Sequence, residues 1–136
     1  MADFERLIIK KYRFWTLYLS EQQSYLGRCY LALNRTGKLD PFVHCTMFEW
    51  IQLLWIIRYK LVPGLSKVFS PDMLNYDYLC NAWPRCQWHV VPRYSGLRLF
   101  HDILFEDNNW GKNWSPYDKG FLVPEEVLME IRDIIA

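Results

Sequence analysis

Residues 85–89 read Arg85-Cys86-Gln87-Trp88-His89, and the chain runs on as Val90-Val91-Pro92-Arg93-Tyr94. Along a strand, side chains alternate between faces. Arg85, Gln87 and His89 therefore share one face, and Cys86, Trp88 and Val90 share the other. The polar row holds groups suited to an anion. Arg85 carries a permanent charge and a planar fork for phosphate. His89 can donate a hydrogen bond to a phosphate oxygen or assist a bound water. Gln87 offers only an amide, whose nitrogen lone pair is delocalised, so it is a very poor nucleophile. Cys86 is the adjacent nucleophile, but alternation turns it away from the row. Periodicity alone describes a half-buried strand with a solvent-facing polar row equally well.

Weaker signals flank this stretch. Asn75 and Asn81 bracket the preceding strand, where they are either ligand contacts or turn residues. Arg28 follows Gly27 at a strand start, and Arg93 follows Pro92 at a strand end. His44 and His101 stand in loop contexts with no partner signal. No glycine-rich phosphate loop, H-E-x-x-H or G-x-S-x-G occurs, and no cysteine pair has zinc-knuckle spacing, so neither metal nor cofactor is expected.

The elements that must position these residues follow from the pattern. Leu7-Ile8-Ile9, Phe14 to Ser20 and Arg28 to Leu33 read as strands. Residues 34–41 carry Asn, Thr, Gly, Asp and Pro and form a connection. Thr46 and Glu49 make a T-x-x-E capping box ahead of apolar residues spaced by threes and fours. Pro63-Gly64 is expected to end or kink that helix, and a second apolar turn covers Leu65 to Phe69. Leu74 to Cys80 and Cys86 to Val91 are further strands. Residues 94–120 read as loop. Pro124-Glu125-Glu126 opens a final helix, with proline and acids where a helix start favours them. This order describes one α+β domain over residues 1–136 with a mostly antiparallel sheet.

Composition narrows the class. The 136 residues carry 16 Lys plus Arg against 15 Asp plus Glu. A net charge of +1 argues against a general nucleic-acid coat and against a disordered acidic chain. Aromatics make up 18%, enough to fill a core and leave apolar area for a partner surface. The start of the chain lacks the basic-then-apolar pattern of a secretory signal, and the longest greasy stretch, Met47 to Ile57, is too short to span a bilayer. A cytoplasmic protein is expected, with no membrane partner and its four cysteines reduced as core filler.

The stretch His89-Val90-Val91-Pro92-Arg93-Tyr94 resembles the end of the histidine-triad (HIT) motif, in which three histidines alternate with apolar residues on one strand. Gln23-Ser24-Tyr25-Leu26-Gly27-Arg28-Cys29 resembles the strand entry of bacterial members. Leu74-Asn75-Tyr76 with Asn81 resembles the strand and turn before the triad. Trp110-Gly111-Lys112-Asn113-Trp114-Ser115-Pro116-Tyr117 resembles the tail of the same subgroup, the diadenosine polyphosphate hydrolase-like group. The resemblance runs from the second strand to the start of the last helix. It implies an α+β fold with an antiparallel sheet of about five strands, one central helix and a C-terminal helix, and a homodimer with joined sheets.

In that family the middle histidine attacks the α-phosphate of a nucleotide, and water cleaves the nucleotidyl-histidine. Here the three positions are Arg85, Gln87 and His89, a degenerate triad without the nucleophile. The resemblance thus implies a nucleotide- or phosphate-binding protein with weak or lost hydrolase or transferase activity. Arg85, Gln87 and His89 stand at the catalytic positions, with Asn75, Asn81, Arg28 and Arg93 as candidate nucleotide contacts. Two alternatives stay open: an active hydrolase of dinucleoside polyphosphates or nucleoside phosphoramidates, and an interaction protein with a vestigial pocket.

Overall fold

The computed structural model describes residues 4–35, 41–80 and 87–136. A 3-10 turn at Phe4–Leu7 leads into β1 (Ile8–Lys11), β2 (Trp15–Leu19) and β3 (Cys29–Leu33). A short helix α1 (Pro41–His44) precedes α2 (Met47–Ile56), a π-helical turn at Ile57–Leu61 and α3 (Val62–Val68). The strands β4 (Met73–Leu79) and β5 (Gln87–Arg93) follow, then β6 (Arg98–Phe100), β7 (Ile103–Phe105) and α4 (Glu125–Ile135). The main sheet is five-stranded, ordered β1-β2-β3-β5-β4, and every neighbouring pair is antiparallel. The α+β architecture, with its central helix and C-terminal helix, matches the sequence expectation.

Alternation sorts the sheet into two faces. Trp15, Leu17 and Leu19 of β2, Leu31 and Leu33 of β3 and Val90 of β5 face one way. They pack with Leu53, Ile56, Leu61 and Leu65 from the central helices and with Leu128 and Ile131 from α4. At roughly 1.5–3 kcal/mol for each fully buried aliphatic or aromatic side chain, this face dominates stability. Cys29 belongs to it as a free thiol, and burial pushes its pKa up, which keeps it inert. Cys80 is disulfide-bonded. That corrects the expectation of four reduced cysteines, because pairing depends on spatial approach, which spacing does not reveal.

The capping box forms as expected. Thr46 Oγ1 accepts from the Glu49 amide at 3.2 Å, and Glu49 Oε1 accepts from the Thr46 amide at 2.8 Å. Glu49 also pairs with Arg35 at 2.7 Å. Pro63-Gly64 does not end the helix. The backbone widens into the π register just before Pro63, with the Val62 N–H bonded back to Ile57, and α3 then continues to Val68. Such a one-turn bulge accommodates a residue that cannot supply an α-helical N–H. Gly64 is needed for packing, since a Cβ there would stand 2.7 Å from the Ile135 carbonyl oxygen of α4.

The segment expected to be all loop contains a hairpin. β6 and β7 pair antiparallel around His101 and Asp102, which both adopt positive φ, 51° and 60°. Two-residue hairpin turns favour that conformation, usually with Asn-Gly, and His-Asp gave no such signal.

Candidate functional site

The sheet face away from the helices is where the polar row of β5 lies. Gln87 and His89 share it, while Trp88 and Val90 join the core on the opposite face. The expected alternation therefore holds through the described part of the strand. Arg85, Cys86 and Asn81 lie outside the described residues.

Cross-strand register supplies the neighbours. Gln87 is opposite Ala32 on β3 and Leu79 on β4, and His89 is opposite Tyr30 and Asp77. Gln87 is only 8% exposed. Aromatic rings run across the face. Tyr18 stacks on Tyr30 at 4.9 Å between centroids, Tyr30 lies 6.0 Å from the His89 ring, and His89 lies 6.3 Å from Trp114 at a 27° interplanar angle.

Arg28 enters this row from the residue just before β3. Far from being solvent-exposed, it is 6% exposed. Its guanidinium carbon stands 4.8 Å from the Trp114 ring centroid and 4.9 Å from that of Tyr117. Its Nη2 reaches 3.4 Å from His89 Nδ1, while Nε and Nη1 are buried with no hydrogen-bond partner. A buried guanidinium with two unpaired nitrogens is costly, and an anion that reached them would offset the cost. Gly27 makes the approach: at φ +88° it turns the chain into β3, and its amide donates to Gln23 Oε1 at 2.7 Å.

His89 is held neutral. Burial is the largest cause, the Arg28 charge adds to it, and the Asp77 carboxylate opposes both; the result is a pKa pushed down to about 4.

Arg93, at the far end of β5, is placed differently. All five of its donors are engaged inside the protein. Nε and Nη2 bond the two Asp107 oxygens at 2.7 and 3.2 Å, Nη1 bonds Asn75 Oδ1 at 2.7 Å, and the Lys112 and Asn109 carbonyls take the rest. Arg93 thus ties β4 to the segment that carries Trp114. Asn109 and Tyr25 complete that tie. Tyr25 Oη donates to the Trp114 carbonyl, and Asn109 Nδ2 donates to Tyr25 Oη and to the Trp114 and Pro116 carbonyls. Asn75 stays at the site, lining with Asp77, Asn113 and Trp114 an open cleft of about 440 Å3 beside β4.

Sequence reasoning did not single out Asp77, Tyr30, Trp114 or Tyr117 as site residues. Strand alternation puts Asp77 with Asn75 on the face of His89, a signal that was readable. The approach of Trp114 and Tyr117 to Arg28 depends on tertiary folding of a segment with no periodicity. Among the described residues no cluster of three or more His, Cys, Asp or Glu is placed to hold a metal ion, and no helix is long and apolar enough to cross a membrane.

No protein-family model matches the chain, and no curated protein sequence does. Solved structures do. A histidine triad protein from Sinorhizobium meliloti superposes with a TM-score of 0.74 at 20% identity, covering 99% of this chain and 93% of that one. One from Bradyrhizobium japonicum gives 0.71 at 13% identity, covering 94% and 86%. A hypothetical histidine triad nucleotide-binding protein from Sulfolobus tokodaii gives 0.65 at 10% identity, covering 95% and 80%. The chain therefore has the fold of the histidine triad proteins, with Gln87 and His89 on the strand that resembles their motif.

Proposed function

We propose that this chain is a single-domain, cytoplasmic member of the histidine-triad family that binds a nucleotide or another phosphorylated small molecule and has lost covalent nucleotidyl transfer. The observation that carries the reading is the buried Arg28 guanidinium, with Nε and Nη1 unpaired, next to His89 on the triad face. A phosphoryl group is the ligand chemistry that two unpaired guanidinium nitrogens and a neutral histidine serve together. The amides of Asn75 and Asn113 and the carboxylate of Asp77 in the adjoining cleft suit the hydroxyls of a ribose. The fold is shared with a protein named as nucleotide-binding, which supports the same ligand class.

Chemistry is lost because Gln87 occupies the middle position. Its amide cannot attack phosphorus. Two copies pair in this reading. Met47, Phe48, Ile51, Leu54 and Trp55 of α2 are exposed, a contiguous apolar face that a second copy covers.

A thermal-shift screen with AMP, GMP, adenosine and diadenosine polyphosphates tests the ligand, since a ligand that binds only the folded state raises its apparent stability. The phosphorylated compounds are expected to stabilise the protein and adenosine to do so less. No shift with any of them points instead to a vestigial pocket, and brisk turnover points to an active hydrolase.

A further inference from the structure

The imidazole of His89 has two nitrogens, and Nδ1 is the one that meets a permanent cation. Arg28 Nη2 stands 3.4 Å from it. A guanidinium is always protonated and offers only N–H donors. Nδ1 can meet it favourably only with a lone pair, because a proton there would set two N–H groups head to head. Arg28 cannot readily swing aside, since Trp114 and Tyr117 both lie against its guanidinium. The other groups around the ring are Tyr30 on β3, Asp77 on β4 and Gln87 on β5 itself. Only Asp77 attracts a proton, and burial with the Arg28 charge outweighs it.

Resting on the phosphate-binding reading above, we propose that Arg28 fixes His89 as the neutral Nε2–H tautomer, so that His89 serves a bound phosphoryl oxygen as a hydrogen-bond donor and has no free lone pair for base or nucleophilic work. Arg28 then has two tasks. It supplies charge to the anion, and it positions the proton on its neighbour. His89 cannot replace the nucleophile that Gln87 lacks, because the one nitrogen with a lone pair is turned to Arg28. Arg28 and His89 both act as donors, so the ligand group that meets the two of them must be an acceptor.

Long-range nitrogen–proton NMR correlations on the 15N-labelled full chain at pH 7, without ligand, read the tautomer directly. The chain has three histidines, and a His89→Asn spectrum identifies the ring by its loss. The expected pattern has a pyrrole-like Nε2 and a pyridine-like Nδ1. An Nδ1–H tautomer, or an imidazolium at that pH, would overturn the proposal. Arg28→Met removes the donor and is expected to abolish the single-tautomer pattern and raise the pH at which His89 titrates. A wild-type pattern in the folded Arg28→Met protein, or in Arg28→Ala should the first not fold, would overturn the role of Arg28. Added AMP is expected to move the Nε2–H proton downfield, and saturation with that resonance unmoved would overturn the donor role. The tautomer is read without ligand, so a failure of AMP to bind sinks the phosphate reading separately and leaves the Arg28–His89 result standing.

Discussion

Asp77 stands directly opposite His89 in the β4–β5 ladder, yet the carboxylate does not keep the imidazole charged. Burial and Arg28 together win, and His89 titrates at about 4 in the folded protein, against about 6.5 in an unfolded chain. Its folded pKa is depressed, so between those values the unfolded state binds more protons. Stability attributable to this residue is therefore complete above pH 6.5 and is lost as pH falls toward 4. Urea unfolding at pH 7 and pH 5 checks it. The wild type is expected to lose ~2 kcal/mol more over that interval than His89→Gln. Equal losses would show that the folded ring takes up a proton as readily as the unfolded one.

Arg93 and Asp107 are 3% and 0% exposed at their side chains, and they bond twice. Removing one partner of such a pair leaves a buried charge uncompensated, at about 3–5 kcal/mol. Arg93→Met is expected to lose that much in urea unfolding, because Asp107 loses its charged partner while Asn75 and two carbonyls lose a donor. A loss under about 1 kcal/mol would mean that the network relaxes around the gap and that Arg93 does not hold the Trp114 segment in place.

Much of this fold was readable from the residues. The T-x-x-E box at Thr46 and Glu49 marked the central helix, and Pro124 with its two acids marked α4. Alternation from Gln87 to Val90 correctly assigned the two faces of β5. What escaped had no local signal. The His101-Asp102 hairpin uses positive φ at residues without the usual Asn-Gly signature. The helix passes through Pro63 because a π turn absorbs it. At the site, the burial of Arg28 was not readable from sequence, because Trp114 and Tyr117 arrive from more than eighty residues away. Arg93 looked like a ligand contact by position, and only its five internal bonds show how fully it is engaged.

The apolar face of α2 makes a prediction about assembly. Ile51 and Leu54 are exposed, three residues apart on one side of the helix. Light scattering of the wild type at micromolar concentration is expected to give twice the 16.5 kDa chain mass. A double change, Ile51→Glu with Leu54→Glu, places two charges where the partner packs and is expected to give the monomer with little loss of folding, since neither side chain is in the core. A wild type that stays at 16.5 kDa at every concentration would end the dimer proposal.

The last prediction concerns chemistry at Gln87. The strand places this side chain on the face of His89 and Arg28, where an imidazole would be aimed as a nucleophile, and the residue is 8% exposed. An amide there cannot form a covalent bond to phosphorus, so the wild type is expected to form no nucleotidyl adduct. It should hydrolyse dinucleoside polyphosphates or phosphoramidates at near-background rates, because losing a covalent nucleophile removes several powers of ten. Gln87→His supplies a ring nitrogen at the same register, and Arg85→His can follow as a second step. Turnover is expected to rise with the first change, and intact-mass spectrometry after mixing with an adenylated substrate should reveal a nucleotidyl-protein that the wild type lacks. An adduct on the unaltered protein would place the nucleophile elsewhere. So would brisk turnover surviving both Gln87→Ala and His89→Ala, because the two described members of the polar row would then have no part in the reaction.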